Sequence, residues 1–473
     1  MNVLFATSEC YPYAASGGLG DVSGALPKAL SRCGVDCRVV LPLYGDIKPE
    51  QRAKMTFICD FIVPVAWRHQ YCGLFELSEN GVTYYFIDNE YYFKRAGLYG
   101  YYDDAERFAF FSRAVLEMLR HCDFSPDIIH SNDWQTALTN VYLNKFYREE
   151  EKFSSIKTLF TIHNIQYQGK YGVELLSDVV GIAPSEAAVL EFGGCVNFMK
   201  GAIEVSDKVN TVSPTYAKEI LDPWFAHGLD PLLRAKQFKL CGILNGIDTE
   251  VYDPHTDPYI AANFSARYPQ KKALCKKELL EKFSLEDNGA PVMAIVSRLV
   301  AHKGIDLVKH VLEYILLSGI QVVVLGSGEY MYENCFSDFA RRYPQSCGVK
   351  IGFIPELARK IYAGADMFLM PSKSEPCGLS QMLALRYGTV PVVRITGGLA
   401  DSITDSGDGE GNGFTFRSYN AHDMLDACLR AKAVYENHDE WNVLVKRALK
   451  CDFGWERAAE SYLGLYNEMV TLW

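Results

Sequence analysis

Between residues 291 and 396, short apolar runs alternate with stretches whose apolar positions recur every three or four residues. The runs PVMAIVSRL (291–299) and IQVVVLGSG (320–328) have the apolar, β-branched character of buried parallel strands. Between them GIDLVKHVLEYILLSG (304–319) reads as an amphipathic helix ended by glycine. A helical stretch runs on to Arg342, and VKIGFI, PELARKIYAGA, DMFLMPS, LSQMLALRYG and TVPVVRI continue the alternation. Strands alternating with helices imply right-handed crossovers, so this half predicts a doubly wound parallel sheet.

The first half opens in the same way. Residues 2–7 (NVLFAT) predict a buried strand, and Val22, Ala25, Leu26, Ala29 and Leu30 form a helical stripe near 19–33. Pro27 falls inside that stripe and predicts a kink or a broken turn. After CRVVLPL, the runs FICDFIVPVAW and CGLFELSENGVTYYFID predict antiparallel strands with a turn at ENG. Alternation resumes with DIIHSND (127–133), a helix from Trp134, KTLFTIHN (157–164) and DKVNTVS (207–213). A polar, proline-containing shift near 253–270 suits an interdomain linker. The predicted fold is α/β, two Rossmann-like doubly wound domains facing a cleft, with residues 1–253 in the first and 254–455 in the second.

Composition narrows the function classes. A chain of 473 residues is too long for one ordinary core, so two large domains are expected. The formal net charge of −11 argues against nucleic acid or anionic membranes as partners. The sequence contains no uninterrupted apolar run long enough to span a bilayer, and no basic-then-apolar leader pattern opens it. Fourteen scattered cysteines without a CxxC pair suit a reduced cytoplasm better than a disulfide framework.

In doubly wound sheets ligands sit beyond the C-terminal ends of the strands, so those positions carry the candidate chemistry. Gly17 and Gly18 lie between the first strand and its helix, where they make either a tight turn or a cradle of backbone N–H groups for an anion. Arg298 closes its strand and Lys303 precedes the next helix. Two solvated cations near a helix start are the plain reading; because a cation at a positive helix end is mildly unfavourable, a shared anionic ligand between them is the better explanation. In DMFLMPSKSEPCGLSQ (366–381) a buried strand meets a polar turn holding Glu375, Cys377 and Gly378. Backbone N–H groups of Gly378, Leu379 and Ser380 again suit an anion, and Glu375 suits sugar hydroxyls; a surface charge and a small core residue are the plain readings of Glu375 and Cys377. His163 and Asn164 end another strand, and Asp133 sits where a helix cap and a sugar contact are both open.

Several longer stretches extend this set: SGGLGDVSGALP, HSNDWQTAL, FTIHNIQYQG, NTVSPTYAKEI, LNGIDTEVYDP, VSRLVAHKG, PSKSEPCGLSQ, TGGLADSI and DFGWERAAESY. In this order, over nearly the whole chain, they resemble the bacterial glycogen synthases and plant starch synthases, retaining glucosyltransferases of the GT-B fold. The resemblance implies glucose transfer from ADP-glucose or UDP-glucose to the non-reducing end of an α-1,4-glucan or maltooligosaccharide, with no metal or cofactor. It places Arg298 and Lys303 on the donor diphosphate, and Glu375 with the PCGL turn on the glucose and distal phosphate. His163 and Asn164 fall near the reacting sugar, with Asp21, Asp133 and Asn245 facing the cleft. Phe353 falls against the nucleotide base, and the C-terminal helix, 456–473, crosses back onto the first domain. The tyrosine-rich stretch 89–104 suits stacking on sugar faces or a packed loop. One position departs: the family motif Lys-x-Gly-Gly-Leu reads Ala15-Ser-Gly-Gly-Leu, and Lys28 and Arg32 lie too far along the helix to replace the lysine. That departure leaves two alternatives, a weakly active or inactive glucan-binding paralogue, or a retaining glucosyltransferase with another donor or acceptor.

Overall fold

In a computed structural model that describes residues 1–471, the chain forms two compact units. The first is residues 1–246 with the helix starting at Trp455, and the second is residues 247–454. The strands of the first unit are β1 (Asn2–Ala6), β2 (Asp36–Pro42), β3 (Thr56–Val65), β4 (Arg68–Glu79), β5 (Val82–Asp88), β6 (Ile128–Asn132), β7 (Lys157–Ile162), β8 (Lys170–Tyr171), β9 (Glu191–Phe192), β10 (Cys195–Asn197), β11 (Lys208–Thr211) and β12 (Leu240–Gly242). Nine of them form one sheet in the order β12-β11-β7-β6-β1-β2-β5-β4-β3, and β8-β10-β9 form a small second sheet. The large sheet is parallel from β12 to β5 and antiparallel at β5-β4-β3. The β4–β5 connection is the expected turn: Asn80 (φ 54°) and Gly81 (φ 77°) are both left-handed, the backbone a two-residue hairpin of this twist requires.

Pro27 does not break its helix, which runs from Gly18 to Arg32. A proline leaves the carbonyl four residues earlier without its N–H donor. Here that carbonyl, Ser23 O, accepts from the Cys10 thiol at 3.3 Å, and burial keeps the thiol protonated by pushing it up to about 12. The helix Trp455–Thr471 packs against Gly18–Arg32. It is pinned to the sheet through a buried chain of polar groups. Asn210 Nδ2 donates to the Tyr462 hydroxyl at 3.0 Å, so Asn210 Oδ1 accepts from Thr161. Thr161 Oγ1 then accepts from His130 Nε2 at 2.5 Å, and His130 Nδ1 accepts from the Tyr466 hydroxyl at 2.8 Å. Positions 472 and 473 of the expected terminal helix lie outside the described residues.

The second unit holds β13 (Val292–Val296), β14 (Gln321–Gly326), β15 (Cys347–Ile351), β16 (Met367–Met370), β17 (Val390–Arg394) and β18 (Phe414–Phe416). They form one parallel sheet in the order β15-β14-β13-β16-β17-β18, which reverses direction between β13 and β16. The stretch 253–270, expected as a linker, is instead anchored on this unit. Asp257 accepts from Arg359 at 3.2 Å and from the Tyr387 hydroxyl, while Arg386 pairs with Asp253 at 3.3 Å. A polar, proline-containing composition reports solvation and turn chemistry, and it is silent on ion pairs to residues a hundred positions away. The compact units accordingly divide at 246/247.

Candidate functional site

The reversal point of the second sheet is where a crevice must open, because the crossover helices leave β13 and β16 on opposite faces. A cavity of about 200 Å³ lies there, lined by Arg298, Lys303, Ser372, Glu375, Gly378, Leu379 and Ser380 among others. Arg298 follows β13 and is exposed, its Nη2 3.5 Å from His302 Nε2. Burial, then Lys303 and Arg298, lower the His302 pKa, so that ring is neutral at pH 7. Lys303 does not stand free. Its ammonium donates to both oxygens of Glu375, at 2.9 and 2.7 Å, and Glu375 also accepts from Ser372 Oγ at 2.8 Å. Glu375 is buried and Lys303 only partly exposed. Arg298, Lys303 and Glu375 together carry one net positive charge, and Arg298 is the member no carboxylate holds among the described residues.

The turn bearing Glu375 is shaped by Gly397 and Gly398. A Cβ on Gly397 would lie 1.9 Å from Glu375 O, and one on Gly398 would lie 2.0 Å from Cys377 O. Gly398 N–H also donates to Glu375 O at 3.1 Å. Backbone packed on backbone thus sets the height of the carboxylate. The following helix, Ser380–Arg386, starts without a side-chain cap, which leaves the N–H groups at its start available to an acceptor. Cys377 is buried behind the turn. Phe353, 90% exposed, follows the edge strand β15 and does not line this cavity.

In the first unit, Asp133, His163 and Asn164 come together at the ends of β6 and β7. Asp133 adopts φ 56°, a region that costs a non-glycine residue about 1–3 kcal/mol. Its Oδ1 accepts from the backbone N–H of His163 at 2.8 Å and of Asn164 at 3.3 Å. Burial pushes its carboxyl up to about 7 despite those two donors. Asn132 Nδ2 donates to Ala6 O, so Asn132 Oδ1 accepts from His163 Nε2 at 2.8 Å. His163 therefore carries its proton on Nε2 and leaves Nδ1 as an acceptor. Burial lowers its pKa to about 3, so it is neutral.

The glycine turn departs from the expected anion cradle. The carboxylate of Glu9, three residues past β1 and buried, already accepts from Ser16 N–H at 2.6 Å and Gly17 N–H at 3.1 Å. Its other oxygen takes Ser16 Oγ at 2.7 Å and the Tyr99 hydroxyl at 2.8 Å. The anion held by this loop is the protein's own. A Cβ on Gly17 or Gly18 would meet no heavy atom within 4 Å, so neither internal packing nor backbone strain requires glycine there. Both glycines and Ala15 are exposed. Asp21 is exposed as well, yet desolvation and the Glu9 charge push its carboxyl up to about 6. Asn245 is buried, and its Oδ1 has no hydrogen-bond partner among the described residues. The sequence reading missed Glu9, Asn132 and Ser372; the strand-end rule that selected Asp133 and Arg298 reaches Glu9 equally well.

Comparison with known proteins identifies the family. Residues 2–235 match the starch synthase catalytic domain, and residues 276–442 match glycosyl transferases group 1. Glycogen synthase of Geobacillus thermodenitrificans is 50% identical over 99% of this chain and 98% of its own length. Glycogen synthase of Bacillus anthracis is 48% identical over 99% of this chain and all of its own. Among solved structures, the catalytic domain of starch synthase IV from Arabidopsis thaliana, bound to ADP and acarbose, superposes with a TM-score of 0.90 at 34% identity, covering 99% of both chains. Sucrose-phosphate synthase from Thermosynechococcus elongatus shares the fold, with a TM-score of 0.62 at 16% identity. With curated relatives near half identical from end to end, the chain belongs to the glycogen and starch synthase family of GT-B glycosyltransferases and is an enzyme that transfers glucose.

Proposed function

We propose that this synthase takes glucose from ADP-glucose and adds it to the 4-hydroxyl at the non-reducing end of an α-1,4-glucan, retaining the α configuration. The observation that carries the reading is the cavity between β13 and β16, with one uncommitted guanidinium, a lysine held by a carboxylate, and an uncapped helix start. The ADP and acarbose bound to the Arabidopsis relative support a nucleotide donor and a glucan-like acceptor.

The barrier lies in separating a diphosphate from a sugar that becomes oxocarbenium-like. In this reading Arg298 and the third donor of the Lys303 ammonium meet the diphosphate oxygens as their charge grows, an electrostatic role. Glu375, fixed by Lys303 and Ser372, accepts from the sugar hydroxyls, and the N–H groups of Gly378, Leu379 and Ser380 face the distal phosphate. Phe353 stacks on the base. On the sugar side, neutral His163 offers Nδ1 as an acceptor to a hydroxyl, which suits a neutral sugar. Asp133 and Asn164 hold that histidine's strand end, Asn245 supplies an unspent acceptor, and Asp21, Gly17 and Gly18 are the remaining polar and glycine positions that the family resemblance assigns to the substrate. Fourteen free thiols suit a reducing compartment, the cytoplasm.

Incubation with ADP-glucose or UDP-glucose and glycogen, reading released nucleoside diphosphate and product length, tests the proposal. ADP release with chain elongation is expected. Release without elongation, or elongation from UDP-glucose alone, overturns it.

A further inference from the structure

The hairpin joining β3 to β4 carries a feature the transfer reaction does not use. Its two-residue turn is Ala66-Trp67, and Ala66 adopts φ 51° where glycine would be strain-free. Trp67 is 69% exposed, yet it is not loose. Its indole N–H donates to Asp178 Oδ1 at 2.8 Å, and the Arg68 guanidinium lies over the ring, 4.4 Å from its centre. Arg68 is itself pinned, paired with Asp178 at 3.0 Å and with Glu106 at 3.4 Å. One ring face is therefore covered by a fixed guanidinium, and the exposure falls on the other.

The topology places this ring on the functional edge of its sheet. β5 runs parallel to β2 and ends at Asp88, which pairs with Gly73 of β4. Residues 68–72 of β4 therefore run past that end, by roughly 17 Å at the usual rise per residue. The tip projects beyond the same C-terminal edge that carries Glu9, Asp133 and His163. It stands three strand spacings from β1, roughly 14 Å across the sheet.

We propose that Trp67 is a stacking platform for the glucan, a second contact for acceptor chains that reach beyond the reacting end. The inference rests on the reading of the chain as a glucan synthase. A flat ring whose position is already determined loses little entropy on meeting the flat face of a sugar. A neutral polymer is also indifferent to the two carboxylates and single guanidinium beneath the ring and to the net charge of −11, whereas a nucleic acid would be repelled. For a polymeric acceptor, a second contact raises the local concentration of chain ends.

The test compares wild type, Trp67→Ala and Trp67→Phe with glycogen and with maltotriose, which is too short to reach both places. In the Ala variant the glycogen concentration for half-maximal rate rises about tenfold, the scale of losing one aromatic anchor. The saturating rate and the maltotriose kinetics stay at wild-type values, and Phe restores most of the glycogen affinity. Retardation of each protein in gels containing glycogen reads binding without turnover, so it still tests the platform if transfer from ADP-glucose fails. An Ala variant with wild-type melting, half-saturation and retardation overturns the proposal. So does sedimentation in which the substitution dissociates a dimer and leaves glycogen retardation intact, since the ring would then serve self-association.

Discussion

The Lys303–Glu375 pair makes a prediction that neither residue makes alone. Lys303→Ala removes the ammonium from a buried carboxylate and leaves it only the Ser372 hydroxyl at 2.8 Å. The incoming diphosphate then meets an uncompensated negative charge. Glu375→Ala removes both acceptors, at 2.9 and 2.7 Å, that set the direction of the lysine. Each single change therefore disables both partners. Loss of one charge-stabilising contact of this kind costs about a hundredfold in turnover, or about 2.7 kcal/mol. If the two acted independently, the double variant would lose about ten-thousandfold, about 5.4 kcal/mol. Because they share one interaction, the expected double loss is a hundredfold to a thousandfold, roughly, which is a coupling of about 1.4–2.7 kcal/mol. Initial rates of ADP release from ADP-glucose at limiting glycogen measure it, with melting curves to show that each variant is folded. A double variant down by four orders of magnitude would refute the view that the pair works as a unit.

Arg298→Ala should lower transfer by at least about a hundredfold, since no carboxylate shares that guanidinium; near-normal turnover in the folded variant removes it from the diphosphate site. Ala15→Lys should reduce efficiency on the preferred acceptor, because an added ammonium beside Glu9 competes with Ser16 and Gly17 for the carboxylate that shapes the loop; a clear rise in kcat/KM would show instead that alanine is a simple loss. Asp133 bears on pH. Its folded pKa, about 7, lies above the ordinary 3.8, so the folded state binds more protons at this group between those values and its contribution to stability falls as pH rises from about 4 to 7. Asp133→Asn keeps an acceptor for His163 and Asn164 but does not titrate, so its stability relative to wild type should climb across that window and level off above pH 7. Denaturant titrations every half unit of pH check this, and a difference that is flat or falling contradicts it.

The periodicities alone determined a good deal. Buried parallel strands are continuously apolar and their helices are amphipathic, so both doubly wound sheets were legible without any contact information. The ENG turn was legible because a tight hairpin needs two left-handed residues. Arg298, Lys303, Glu375, Asp133 and His163 stood out because charge or an imidazole at the end of an apolar strand has no packing reason to be there. The long motifs carried the family. What the tertiary structure decided were the partnerships. Lys303 and Glu375 are 72 residues apart in sequence, and only the adjacency of β13 and β16 brings them together. Glu9 fills the glycine loop because the chain after β1 folds back on itself, and Cys10 satisfies the carbonyl that Pro27 orphans for the same reason. The stretch 253–270 looked like a linker because its anchors, Arg359, Arg386 and Tyr387, lie more than a hundred positions away. Secondary structure follows local patterns of burial, which a sequence displays directly. Which donor meets which acceptor is set by the distance between elements, and that distance exists only once the sheets have formed.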